Sequence, residues 1–588
     1  MMLQSELEKL ESADLVRRVP AASESEYAFK HGLLQETVYD ALLNRDRKRL
    51  HGLVAQTLER AFAPIPEDLA LILATHWQEA GDAPRALPYY LTAGKRAARV
   101  YAHTEALNAL EQARALSGSV ALDATTLRAL YQQRGRVLEL RGEYQAALAN
   151  YVELEELARA RGDASLELQA IIRQVILFAT PNTLTNLPRA IEYAQRALAY
   201  ARALNDRPAE AQVLWTLLLA EHFSGNTERA VGYGEQSLAI ARALDLREQL
   251  AYTLNDITRP YAQLRRISEA QQANKEAQAL WRELGNLPML TDSLTNAGMG
   301  AFFTGEYETG FPMVEQALEL SRETSNVWGQ AFAQEVLGMM YYPLGEWEKA
   351  LTYLREAARL GSEVNFVDPA FTGLIFAALI YRALGAPETA IALMEKIVAA
   401  PAPSPAWYSG PLAILAILYA DGGELERAQA LLEQAQRVFE GVTDSPAPFM
   451  LAFAEIVVRL AQGESNAAYA ASTNLLPFIE RMGIKPYKSL ALFLHARVLE
   501  QQGQWQAARE AYERAYTEAS LVQTRAVQWE IAAALVRVAT QLGNPAQADA
   551  WRARGRAAAQ FIADHAPPEL RGSFLNRPEV CAVMDSGA

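Results

Sequence analysis

The chain has 588 residues, 51% of them hydrophobic and 21% charged, and its 55 Lys+Arg against 69 Asp+Glu give a formal charge of −14. That length is too great for one hydrophobic core, and the acidic balance disfavours a broad phosphate-binding surface, so nucleic acid is not an expected direct partner. A single cysteine, Cys581, excludes an intramolecular disulfide framework and a multi-thiolate zinc site.

In chain order, the start mixes acidic with apolar side chains and has no signal-peptide core, and no apolar run of about 18 residues follows. The expected setting is cytoplasmic, away from membranes. Residues 27–60 are predicted to form an amphipathic helical pair, with Leu34, Val38, Leu42 and Leu43 on one apolar face and Leu50, Leu53, Val54 and Leu58 on another. The basic run Arg45, Arg47, Lys48 and Arg49 is interrupted by Asp40 and Asp46 nearby, and reads as a solvated helix face or an interdomain contact.

From about residue 70 to 560 a repeat takes over. A glycine recurs five residues before a small residue, as in Gly81/Ala86, Gly142/Ala147, Gly225/Ala230 and Gly305/Gly310, and from Gly305 to Gly543 the steps are 40, 40, 38, 40, 40 and 40. Thr185 and Arg265 replace the glycine in two copies, yet Ala190 and Ala270 keep the register. Each copy is predicted to be a helix, a tight turn and a second helix. Small residues such as Gly338 and Ala350 face each other and let the two helices approach closely, and Ala357 continues that face at helical spacing. Prolines at 208, 288, 369, 448 and 486 mark the junctions between copies, where a first helical turn tolerates them.

These residues resemble the tetratricopeptide repeat, in Tyr131, Gly135, Ala147 and Tyr151 and more closely in Gly338, Tyr341, Trp347, Ala350 and Ala357, with a period of about 40 in place of the common 34. The fold expected is all-α: an α-solenoid, or superhelix, of tetratricopeptide-like hairpins behind a short helical N-terminal segment. Its predicted divisions are 1–62, 63–562 and a C-terminal tail, 563–588.

The ends carry a second resemblance. Phe29, His31, Gln35, Glu36, Tyr39, Arg47, Leu50 and His51 are similar to the segment that ends the ATPase module of STAND-class signal-transduction ATPases. The block from Ala74 and His76 to Glu105 and Ala106 resembles that class's entry into its repeats, and Leu570–Leu575 with Pro578 resembles its close. The phosphate loop is missing: Ala93-Gly94-Lys95-Arg96 lacks the first glycine and the hydroxyl residue. No cyclase or kinase module is recognisable. The resemblance therefore implies a shortened sensor region, or one working with an ATPase on another chain.

Neither catalytic nor metal chemistry is expected. The histidines His31, His51, His76, His103, His222, His495 and His565 include no pair three or four apart, no Gly-x-Ser-x-Gly occurs, and Cys581 has no recognisable base. No cofactor is implied. In a solenoid of helical pairs the first helix of each repeat lines the concave side, which places Trp215, His222, Phe223, Tyr252, Asn255, Arg259, Thr295, Phe302, Phe303, Phe332, Glu335 and Tyr342 in a candidate groove over residues 210–345. Flat aromatic area with a few directed hydrogen bonds suits a peptide, a protein segment or a small effector; contacts between neighbouring repeats are the competing explanation. The function read from the sequence is a non-enzymatic interaction or ligand-sensing scaffold in signalling or transcriptional regulation. The alternative is the detached sensor arm of a nucleotide-dependent regulator.

Overall fold

Two left-handed backbone positions in every forty residues turn this sequence into a stack of helical hairpins. Within a hairpin the turn lies at the expected glycine, for example Gly305 (φ 72°) and Gly345 (φ 79°). Arg265, which replaces the glycine in one copy, adopts the same conformation at φ 61°, so the geometry persists where the residue does not. Between hairpins a second left-handed position recurs at Asn205, Asp245, Gly285, Ser325 and Asn365. Three of these precede a helix cap: Asp206, Asn286 and Asn326 accept from the backbone N–H of Ala209, Met289 and Gly329.

The computed structural model describes residues 2–19, 26–180, 182–400, 405–439 and 447–584. Met1 and the last four residues of the expected tail lie outside them. Among the described residues there are thirty α-helices, packed as sequential hairpins into a tetratricopeptide-like superhelix. One departure stands at the N-terminus, where the strands Val16–Val19 and Glu26–Phe29 pair antiparallel before the helices Gly32–Ala41 and Asn44–Ala61. Residues 27–29 therefore extend a strand and do not begin a helix; Arg18 donates to the Tyr27 hydroxyl across the pair. No helix among the described residues is long and apolar enough to cross a membrane.

The chain forms two compact units, Met1–Val137 and Leu138–Ala588. In the first, Tyr39, His51 and His76 form a hydrogen-bonded chain, with the Tyr39 hydroxyl 2.9 Å from His51 Nε2 and His51 Nδ1 2.8 Å from His76 Nδ1. The Arg47 guanidinium lies over the Tyr39 ring. Three residues of the N-terminal resemblance thus hold one another and pack as a structural cluster. The helix Gly32–Ala41 buries none of its side chains, and Leu33 is 78% exposed.

In the second unit the small-residue register performs as expected. A Cβ on Gly338 would lie 2.5 Å from Leu354 Cγ and 3.2 Å from the Ala350 carbonyl oxygen, so only glycine lets Val327–Leu344 and Trp347–Glu363 come this close. First helices of successive hairpins touch one another and form an inner layer: Arg207–Phe223, Arg247–Gln263, Leu287–Thr304, Val327–Leu344 and Val367–Ala383.

This unit also closes on itself. Leu287–Thr304 touches Lys485–Gln501, and Val327–Leu344 touches Arg525–Gln541. Arg265 donates to the Glu480 carbonyl, 215 residues later, a little over five forty-residue steps. The backbone N–H of Glu348 donates to the His565 carbonyl at 2.8 Å. The expected tail completes the closure: Phe574 is fully buried against Trp347 and Trp529, while Arg577 donates to the carbonyls of Arg382 and Ala383 at 2.9 and 3.0 Å.

Candidate functional site

Two of the inner helices carry a single charged residue each, which makes those groups conspicuous. Asp292 is the one charged residue of Leu287–Thr304, and Glu335 the one charged residue of Val327–Leu344. With Asp256 and Arg259 of Arg247–Gln263 and Asp368 of Val367–Ala383 they form a ladder, one or two charges per helix, across four successive hairpins. Trp215 adds a rung from Arg207–Phe223.

Hydrogen bonds connect much of it. Trp215 Nε1 donates to Asp256 Oδ2 at 2.6 Å. The Asn255 amide donates to Asp256 Oδ1 at 2.9 Å and to Asp292 Oδ2 at 2.6 Å, while Asn255 Oδ1 accepts from the Ser293 hydroxyl at 2.5 Å. Asn296 donates to Asp292 Oδ2 at 3.1 Å and accepts from Arg259 Nε at 3.0 Å. The Thr372 hydroxyl donates to Asp368 Oδ1 at 3.2 Å. Glu335 is only 1% exposed, and its Oε2 has no hydrogen-bond partner.

Charges held this deep are displaced from their ordinary protonation. Burial pushes the Asp256 carboxyl up to about 7, with the Asp292 charge adding to the effect and Trp215, Asn255 and Arg259 opposing it. Burial likewise raises Asp292 and Asp368, and Glu335 well above the carboxylate range, where Asp368 pushes further. His222 goes the other way: burial, then Arg259, pushes it down to about 3, so it is a neutral imidazole, with Nδ1 unpartnered.

The twelve residues expected in the groove separate into groups. Trp215, Tyr252, Asn255, Arg259 and Glu335 belong to the ladder or its walls; the Trp215 and Tyr252 rings lie 5.2 Å apart and Arg259 sits over the Phe332 ring. His222 lies within the electrostatic reach of Arg259, and Phe223 flanks its ring at 5.1 Å. Thr295 is fully buried and bonds its own helix at the Thr291 carbonyl. Phe302 and Tyr342 line a different feature, a cavity of about 70 Å³ that they share with Phe449, Tyr487 and Phe493 and with the charged groups Arg382, Arg497 and Glu530. Phe303 packs edge-on against Phe302. In that cavity Tyr487 stacks on Phe449 at 4.4 Å, and burial pushes the Tyr342 hydroxyl up to about 12.

Sequence reasoning missed Asp256, Asp292, Asn296 and Asp368, the groups that make the ladder acidic. For Asp292 a signal was available, a lone carboxylate inside an otherwise uncharged helix; Asp256 and Asp368 share their helices with other charges and gave none. Among the described residues no three His, Cys, Asp or Glu side chains converge as metal ligands would.

Residues 297–554 match the family model described as the MalT-like TPR region, in agreement with the hairpin geometry of those residues. A stretch of 110 residues, 18% of the chain, is 31% identical to an uncharacterised protein of Rhizobium meliloti (strain 1021), and the match spans 10% of that relative's length. The fold is similar to the Rap conjugation gene regulator of plasmid pLS20 in complex with the Phr* peptide, at 13% identity and a TM-score of 0.41, over 50% of this chain and 77% of that one. It is also similar to a STAND protein with a tetratricopeptide repeat sensor from Pyrococcus horikoshii, at 17% identity and a TM-score of 0.38, over 73% of this chain and 57% of that one. Aspartyl phosphate phosphatase F from Bacillus subtilis gives 13% identity and a TM-score of 0.38, over 61% and 96%.

Proposed function

We propose that the inner face formed by Arg207–Ala383 is the ligand-binding surface of a non-catalytic tetratricopeptide sensor or scaffold, and that its occupant is a peptide, a protein segment or a small effector. The observation that carries this reading is the ladder itself. Buried carboxylates cost several kcal/mol each when unpaired, and apolar residues of similar volume generally make a more stable core. Glu335, 1% exposed, stands among Phe332, Val336, Leu337 and Met339 of its own helix, so stability alone does not account for it.

The reading is tested by selecting a random peptide display library on the full chain and on the variant Trp215→Phe/Arg259→Gln. These substitutions keep an aromatic ring and a polar side chain while removing the indole N–H bond to Asp256 and the guanidinium. Peptides enriched on the wild type are expected to lose at least about tenfold in affinity on the variant, roughly one charge-assisted hydrogen bond. Equal affinity on a variant with an unchanged circular dichroism spectrum overturns it.

A second reading is supported by the first unit. The helices Gly32–Ala41 and Asn44–Ala61, where the STAND-class resemblance lies, leave Leu33, Leu43 and Leu53 largely exposed. They would seat an ATPase carried on another chain, and Leu33→Asp/Leu53→Asp would abolish co-purification of a phosphate-loop ATPase.

A further inference from the structure

Four carboxylates on the inner face stand against one guanidinium. Asp256, Asp292 and Asp368 keep some exposed surface, and Glu335 is buried beneath with Oε2 unpartnered. Among the described residues Arg259 is the one cation that acts on all four, and it does so at a distance: its Nε is bonded to Asn296 Oδ1, and none of the four carboxylates forms a close ion pair with it. His222, facing Arg259 from the adjacent helix, is neutral and contributes no positive charge.

Resting on the reading that this face is the ligand site, we infer that the group it recognises is an organic cation, an alkylammonium or a guanidinium, lodged between Asp256, Asp292 and Asp368 with Glu335 as its floor. The carboxylates do not converge as a metal site would, and a cation spread over several atoms, with donors pointing different ways, matches acceptors distributed over four helices. Trp215 and Tyr252 beside Asp256 supply ring faces of the kind that attract such a cation.

A pH signature follows from the same groups. The facing titratable and charged groups are His222 on Arg207–Phe223, Asp256 and Arg259 on Arg247–Gln263, Asp292 on Leu287–Thr304, Glu335 on Val327–Leu344 and Asp368 on Val367–Ala383. Asp256, pushed up to about 7, holds a proton below that pH in the free protein, and an arriving cation favours the ionised form of each raised carboxyl. Binding therefore expels protons, and affinity rises with pH up to about 7, where Asp256 ionises unaided.

The experiment is isothermal titration of the full chain at pH 6 and pH 8, in buffers of different ionisation enthalpy. Agmatine and spermidine serve as free cations, and two hexapeptides differing only in a central arginine or citrulline as peptide-borne probes. The expected results are binding of a cationic probe with proton release at pH 6, tighter binding at pH 8, and at least a tenfold loss on Asp292→Asn and on Glu335→Gln. Binding of the free amines alone assigns the cation to a small effector, and arginine-over-citrulline preference assigns it to a peptide; either supports the inference. If neutral or anionic peptides from the display selection bind with Trp215-dependent affinity and are indifferent to Asp292→Asn and Glu335→Gln, the cation inference falls and the ligand-face reading stands. If no probe binds and the display selection yields nothing dependent on Trp215, both fall.

Discussion

The helices Leu287–Thr304 and Val327–Leu344 each carry two environments. Their first and middle turns present Asp292, Asn296 and Glu335 to the polar ladder, and their C-terminal ends send Phe302 and Tyr342 into an aromatic-rich cavity. The repeat, the register and the inner position are the same in both, so repeat geometry does not dictate polarity. Where the next superhelical turn covers the helix ends, aromatic and aliphatic side chains hold the turns together, and the charged groups among them, Arg382, Arg497 and Glu530, offset one another in sign. Along the ladder four carboxylates face the single guanidinium of Arg259, an excess of one sign expected of a surface kept for a ligand.

Substitutions should therefore act with opposite sign in the two regions. The largest effect is expected at the closure: Phe574→Ala leaves a hole between Trp347 and Trp529 and should cost about 3–5 kcal/mol, read as lost hydrogen-exchange protection in Val327–Leu344 and Arg525–Gln541. Within one hairpin, Gly338→Val drives a side chain into Leu354 and should cost about 1–3 kcal/mol by urea denaturation. The ladder should respond the other way: Glu335→Gln removes a buried carboxyl and should stabilise the chain by about 1 kcal/mol at pH 8. A loss of stability there would place Glu335 among the structural groups and erase the contrast.

The same groups make stability depend on pH. Asp256, Asp292, Glu335 and Asp368 hold protons more tightly folded than unfolded, so their contribution is complete below the ordinary carboxylate range and is lost as pH rises, through about 7 for Asp256. His222, pushed down to about 3, acts oppositely, adding stability as pH rises from about 3 towards the ordinary imidazole range. The melting temperature of Asp256→Asn/Asp292→Asn should fall less than that of the wild type between pH 5 and pH 8.

Much of the fold was legible because local chemistry imposes it. Gly305, Gly345 and Ala350 set turn and contact within each hairpin. The second turn was equally legible in Asn205-Asp206, Gly285-Asn286 and Ser325-Asn326, a left-handed residue followed by a helix cap. The N-terminal strands escaped a helical-periodicity reading because each is only four residues long. The candidate site was half legible: aromatic and amide positions on the inner helices, and Glu335, were found from register alone, whereas Asp256 and Asp368, in helices that carry other charges, are recognised only once the helices are packed. The cavity could not be read, since Phe302 meets Tyr487 only because the superhelix returns after five hairpins, and its pitch sums many small packing angles.

The most direct measurement is a pair of melting curves at pH 8 for the wild type and Glu335→Gln, each with and without the arginine hexapeptide. The prediction is that the variant alone melts higher than the wild type and gains nothing from the peptide, whereas the wild type is raised by it. A variant that melts lower and is raised by the peptide as much as the wild type would contradict the ladder as a binding surface maintained against stability.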